Sequence, residues 1–116
     1  MVITTTLTLK KNSEFQTVYK KGKSFANKHI VMFVLKNNKG TNRLGISASK
    51  KIGKAVVRNK QRRRLKEAFR ALGSDVKAGY DIVILPRIGI IEAGFPEVRT
   101  STEHLLRKHN IWRQNG

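Results

Sequence analysis

The clearest hydrophobic pattern in the chain begins at Gln61. At about 100° per residue, the less polar positions that follow gather on one arc of a helix, and they are Gln61, Leu65, Ala68, Phe69 and Leu72. A row beside that arc is polar and basic, and it consists of Asn59, Arg62, Arg63, Lys66 and Arg70. Lys60, Arg64 and Glu67 take the other flank. The pattern predicts a helix that ends near Leu72 before Gly73, packs by one face and exposes a cationic edge.

Two further helices are indicated by helical spacing and end signals. The first follows Asn12, a suitable N-cap, carries Phe15, Val18 and Tyr19 on one face, and stops at Gly22. The last is expected to start near Pro96, a favourable first-turn residue. One side of that helix would carry Val98, Ser101, Thr102, Leu105, His109 and Trp112.

The strand candidates are β-rich runs bounded by turn residues. Residues 28–35 (KHIVMFVL) and 43–49 (RLGISAS) flank the turn-forming stretch 37–42, which predicts a hairpin. The apolar residues 80–85 (YDIVIL) predict a central strand that ends at Pro86. Residues 1–10 are expected to form an extended arm. The small, polar positions Gly45, Ser47 and Ser49 fit either a solvated face or a shallow ligand platform. The element order predicts an α+β fold and a single domain over residues 1–116.

Charge narrows the class of partner. The chain has 25 Lys and Arg against 7 Asp and Glu, a net charge of +18, and no cysteine. Such a protein repels itself unless a polyanion neutralises it, and nucleic acid is the commonest polyanion. The basic helix lacks the wide aromatic face of a membrane-surface helix, and no segment has the length of a transmembrane span or the order of a secretory signal. We expect a cytoplasmic nucleic-acid-binding protein without a membrane partner.

The sequence does not predict catalytic or metal-binding residues in the protein itself. None of its acids pairs with another within one turn of the same element, and its three histidines, His29, His104 and His109, lack a converging carboxylate. No phosphate-binding glycine loop is present. A DNA-binding helix-turn-helix is also disfavoured, because strands flank the basic helix on both sides.

The aromatic residues are open to two interpretations. Phe15 and Tyr19 share a helix face, and Phe33 lies in a strand that is apolar on both faces. They are either core residues or a groove on which unpaired bases stack. From the residues alone, a ribosomal or general nucleic-acid-binding protein remains open, while a protein-only nuclease is disfavoured.

The segment SKKIGKAVVRNKQRRRLKEAF (residues 49–69) resembles the signature of the bacterial ribonuclease P protein subunit. The resemblance extends to LKKNSEFQTVYKKGKSFANK (9–28), RLGISASKK (43–51) and EHLLRK (103–108), in the family's order. It implies a small, mainly antiparallel four-stranded sheet with about three helices on one side, like a ribosomal-protein domain. It also implies a left-handed β-α-β crossover, which is an exception to the usual hand.

The same resemblance implies a function and a set of contact residues. The protein would bind the catalytic RNA subunit as a monomer, and the ribonucleoprotein would cut the 5′ leader from precursor tRNA with Mg²⁺ held by the RNA. The residues implied to face the RNA subunit are Lys50, Lys51, Arg58, Asn59, Lys60, Arg62, Arg63 and Lys66. Those implied to line a cleft for the single-stranded leader are Phe15, Tyr19 and Phe33. Lys60 replaces an arginine and Lys54 a frequent asparagine of the family pattern.

Overall fold

The computed structural model describes residues 6–113, which form one sheet and three α-helices. Three-residue helical turns occur at Lys50–Ile52, Gly73–Asp75 and Ile88–Ile90. In chain order the main elements are β1 (Thr6–Thr8), α1 (Asn12–Lys21), β2 (Lys23–Ala26), β3 (Ile30–Lys36), β4 (Asn42–Ile46), α2 (Ala55–Leu72), β5 (Tyr80–Pro86) and α3 (Phe95–Lys108).

The sheet has five strands in the order β1-β4-β5-β3-β2. β1–β4 and β4–β5 are parallel, whereas β5–β3 and β3–β2 are antiparallel. The expected four-stranded, mainly antiparallel sheet is therefore wrong in strand number and in pairing, although the α+β class with three helices is confirmed. The short strands at the two edges, β1 and β2, expose most of their side chains and so carry little hydrophobic pattern.

The predicted hairpin of residues 28–35 with 43–49 is also wrong. β3 and β4 do not pair with each other, because β5 lies between them and pairs with both. β5 is apolar on both faces, and such a strand buries the most surface with a neighbour on each side. Residues 37–41 therefore cross the end of β5, and the Asn37 side-chain amide donates to Asp81 over 2.8 Å.

The two faces of the sheet are covered by different helices. On one face Met32 and Ile84 pack with Leu65 of α2 and Leu105 of α3 in the main core. Alternate residues of the strands, including Phe33, point the other way and pack with α1 in a smaller cluster. The expectation of helices on one side is therefore wrong for α1.

Helix α2 confirms the predicted C-terminus at Leu72 and links the parallel neighbours β4 and β5. The chain enters it through Gly53, whose φ of 142° lies where side chains are strained. The β-α-β unit is thus present, and its left hand stays a prediction. α1 is capped at Lys11 rather than at Asn12, because Glu14 accepts the backbone N–H groups of Lys10 and Lys11.

Candidate nucleic-acid interface

Helix α2 is anchored by its predicted arc, which places its basic row at the surface. Gln61, Leu65 and Leu72 are buried, as are Ala68 and Phe69. Arg64 adds to the anchor, because one of its Nη atoms donates to Gln61 Oε1 over 2.8 Å and to the carbonyl of residue 90 over 3.2 Å. Its other Nη donates to the carbonyl of residue 93. Arg64 is therefore a structural residue, a role that its position on a charged flank did not reveal.

The eight residues predicted to face an RNA lie along α2 or in the turn just before it. Most of their side chains are exposed, and Arg58 and Arg62 are half-buried; the set is Lys50, Lys51, Arg58, Asn59, Lys60, Arg62, Arg63 and Lys66. Arg62 Nη1 donates to Asn59 Oδ1 over 2.6 Å. Within residues 6–113 the helix has one ion pair, Arg70 with Glu67 at 3.2 Å. Acids therefore neutralise little of this edge, which attracts a polyanion.

The three aromatic residues predicted to form a cleft are brought together by α1 and β3. The Tyr19 and Phe33 ring centroids are 5.1 Å apart with the planes at 71°, and Phe15 and Tyr19 are 6.5 Å apart at 50°. All three side chains are half-buried over the fully buried Val18 and Val83. The structure thus brings these three rings together, and their binding of a leader stays a prediction. The rings pack on the sheet face opposite α2, so the basic edge and this aromatic cleft are largely separate surfaces, and of the three rings Phe15 alone lines a groove together with Arg62 and Lys66.

Of the small, polar positions predicted to share one face, Ser49 is exposed and Ser47 half-buried, but Gly45 fits neither a solvated face nor a ligand platform. Gly45 is buried, and a Cβ placed there would stand 2.6 Å from two carbons of the Phe15 ring. The small residue therefore lets α1 approach the sheet, rather than leaving backbone open to solvent or to a ligand.

An ion network beside the cleft was not visible in the sequence. Arg43 donates through Nε and Nη2 to Asp81 over 2.7 and 2.5 Å, and through Nη1 to Glu14 over 2.7 Å. Its members come from β4, β5 and α1. The one available hint was Asp81, an acid inside an otherwise apolar strand. The network ties the N-terminal turn of α1 to the sheet and so helps to position Phe15.

The two carboxylates of this network stay ionised at neutral pH. Burial alone would raise the pKa of Asp81, but hydrogen bonds from Arg43 and Asn37 outweigh that effect and lower it. Backbone N–H groups of Lys11 and Lys10, with Arg43 nearby, lower the pKa of Glu14. Asp81 in turn raises the pKa of the Arg43 guanidinium. Neither acid is suited to donate a proton near pH 7.

The described residues do not offer a divalent-metal site of the usual kind. Among residues 6–113 no three His, Asp or Glu side chains converge. The two carboxylates that do come together are bound to the same guanidinium, which competes with a cation. In this same part of the chain no helix is both long and apolar enough to cross a membrane.

The sequence is similar to a well-defined family. The family model described as Ribonuclease P matches residues 3–110. The ribonuclease P protein component of Clostridioides difficile strain 630 is 47% identical over 104 residues, which cover 89% of this chain and 91% of that protein. The ribonuclease P protein component of Thermoanaerobacter sp. strain X514 is also 47% identical, over 107 residues covering 92% of each chain.

Solved structures show the same fold. The RNase P protein of Staphylococcus aureus superposes with a TM-score of 0.82 at 37% identity, covering 90% of this chain and 96% of that one. The RNase P protein of Thermotoga maritima gives a TM-score of 0.81 at 35% identity, covering 86% and 94% of the two chains. These identities place the likeness well above a shared fold alone.

Proposed function

The chain belongs to the ribonuclease P protein family, whose ribonucleoprotein acts in tRNA processing, and on that premise we propose a division of labour between its two surfaces. The basic edge of α2 docks on the catalytic RNA subunit. The aromatic cleft of α1 and β3 holds the 5′ leader of precursor tRNA. The protein contributes no catalytic residue, and the RNA, with its own Mg²⁺, performs the endonucleolytic cleavage.

The observation that carries the docking role is the cationic row on a rigidly packed helix. Arg62, Arg63 and Lys66 are held outward by the buried arc, with one ion pair along the whole of α2 in residues 6–113. Arginine matches phosphate as a bidentate fork, and lysine adds a point charge. Binding through such a row is expected to weaken steeply with salt, because phosphate neutralisation releases counterions.

The leader role is supported by the half-buried rings. A ring that packs on one side and is open on the other can stack an unpaired base, and stacking has little sequence preference. Such a cleft suits a leader whose sequence varies between precursors. The mature tRNA lacks the leader, so its affinity should not depend on these rings.

The division of chemistry is tested by a reconstitution. Precursor tRNA and Mg²⁺ are incubated with the protein alone, the RNA subunit alone, and both, at near-physiological salt. We expect cleavage by the RNA to be stimulated by the protein, and none by the protein alone. Cleavage by protein alone would overturn the proposal, and no stimulation would favour a general RNA-binding protein.

The two surfaces are separated by matched variants. The double variant Arg62→Ala, Arg63→Ala should weaken RNA-subunit binding. It should also reduce the magnitude of the negative slope of log affinity against log salt by about 1.4 to 1.8. A control with Lys39→Ala and Arg99→Ala removes two exposed charges outside α2 and should change the slope little. If the control variant lost as much affinity and salt dependence as the α2 variant, docking by α2 would be contradicted.

For the cleft, Tyr19→Leu keeps apolar volume but removes the stacking ring. It should weaken holoenzyme affinity for precursor tRNA about tenfold, from a stacking energy of about 1–3 kcal/mol per base, and leave mature tRNA unaffected. Phe25→Leu, a half-buried ring outside the cleft, is the control. Equal affinity of the wild-type holoenzyme for precursor and mature tRNA would refute the leader cleft.

A further inference from the structure

A groove of about 690 Å³ runs between edge strand β1 and the C-terminal half of α2. Its volume lies in the range of sites that bind small organic molecules, about 300–1,000 Å³. It is distinct from the aromatic cleft, because most of its wall comes from β1, β4 and α2; Phe15 is the single cleft ring that reaches it.

The groove combines an apolar floor with a cationic rim. Leu44, Ile46 and Phe69 supply the floor, and Phe69 is nearly fully buried. Arg62, Lys66 and Arg70, spaced along one side of α2, supply the rim. No acidic side chain of the described residues lines it.

The remaining wall offers hydrogen-bonding groups. Within residues 6–113, β1 pairs with β4 on one side only, so the backbone N–H and C=O groups along its other side are not used by this sheet. Thr6 and Thr8, whose side chains carry hydroxyls, line the groove as well. Floor, rim and strand edge therefore match the apolar face, the phosphate and the polar edge of a nucleotide, respectively.

We propose that this groove takes one unpaired nucleotide of the RNA subunit, with its base on the apolar floor beside Ile46 and its phosphates at Arg62, Lys66 and Arg70. The inference rests on the proposed docking of α2 on that RNA. It adds to that docking a base contact, which a row of cations on a helix does not provide. The RNA subunit is favoured over the leader as the source, because the rim belongs to the docking edge.

Gly73 provides a way to block the groove without removing charge. It lines the groove, its backbone is right-handed, and a Cβ there would meet no atom within 4 Å. Gly73→Leu should therefore fill the groove while the fold is kept. Ala71→Leu, at an exposed position of α2 outside the groove, is the matched control.

The test measures RNA-subunit affinity across a salt series, with thermal melts to verify folding. Gly73→Leu should bind about tenfold more weakly, because it displaces the base from the apolar floor, with an unchanged salt slope, and Ala71→Leu should bind like wild type. If Gly73→Leu binds like wild type while Arg62→Ala with Arg63→Ala still lowers the slope, the groove proposal fails and the docking proposal survives. If those arginine substitutions have no effect either, docking by α2 itself fails.

A cross-linking arm identifies the source of the nucleotide. A photoreactive phenylalanine analogue at Thr8 is irradiated in the holoenzyme with precursor tRNA bound, and Thr17, exposed on α1, serves as the control position. Cross-links from position 8 to an unpaired nucleotide of the RNA subunit support the proposal. Cross-links to the leader, to paired nucleotides, or to no RNA would overturn it.

Discussion

Arg43→Met is expected to lower the free energy of unfolding strongly. It leaves Asp81, whose side chain is 6% exposed, without its bidentate partner, and it cuts the link between α1 and the sheet. Breaking a buried ion pair by removing one partner costs about 3–5 kcal/mol, because a buried charge remains uncompensated. The lower end applies here, since the Arg43 side chain is 20% exposed and Asp81 keeps its hydrogen bond from Asn37.

A loss of about 3 kcal/mol is a large part of the 5–15 kcal/mol typical of a small domain. For a chain of this length it corresponds to a fall in Tm of roughly 12 °C. The assay is urea unfolding followed by far-ultraviolet circular dichroism at pH 7, without RNA. Arg63→Met, which removes an exposed arginine from α2, is the control and should stay within about 0.5 kcal/mol of wild type.

At acidic pH the difference in free energy of unfolding between wild type and Arg43→Met should become smaller. The folded pKa values of Asp81 and Glu14 are lowered. Their stabilisation is therefore fully present above the unfolded pKa values of about 4, and it is lost as pH falls through the folded values. Adding Asp81→Asn to Arg43→Met should recover stability, because no unpaired carboxylate remains. Equal urea midpoints for Arg43→Met and Arg63→Met at pH 7 would refute the reasoning.

Two further predictions concern one titrating group and one close contact. Burial, with Lys23 nearby, lowers the pKa of His109 despite its hydrogen bond to the Met32 carbonyl. The free energy of unfolding should therefore fall as pH drops below about 6.5. In His109→Leu, the urea midpoints at pH 7 and pH 5.5 should differ less than they do in the wild type. Gly45→Ala should displace the Phe15 ring and lower the free energy of unfolding by about 1 kcal/mol. In a filter-binding assay it should weaken the binding of precursor tRNA more than the binding of mature tRNA. Gly94→Ala, where a Cβ would meet its nearest atoms at an ordinary 3.7 Å and which lies outside both RNA surfaces, is the control and should bind precursor normally.

The elements that sequence predicted well are those whose pattern is set within the element. α2 repeats its buried arc over many turns and meets Gly73 at its end. The apolar run of β5 allows few positions other than the centre of a sheet. The failed hairpin had a comparably good local pattern, but the insertion of β5 between β3 and β4 is a long-range choice. Turn chemistry at residues 37–42 fits a crossing loop as well as a hairpin turn.

The candidate site divides in the same way. Outward residues of α2 follow from helical spacing once the buried arc is known. Arg63 and Arg64 are adjacent in sequence. Only the position of the segment around Ile90, whose carbonyl accepts a hydrogen bond from Arg64, gives Arg64 its structural role. The Arg43 network joins three elements, and no spacing rule relates Glu14 to Asp81. The aromatic cleft was placed by family likeness, whereas residue types alone favoured core packing for these three rings.

The central position of β5 has a consequence for how the molecule folds. Without it, the strands form two separate pairs, β1–β4 and β2–β3, and isolated two-stranded units are marginally stable in water. A nascent chain therefore gains a continuous sheet only after residue 86 has been synthesised. α2 is made earlier, yet the buried surface against which it packs is completed by β5. During synthesis, the residues of the cationic edge are therefore made before the strand that completes the core on which α2 packs.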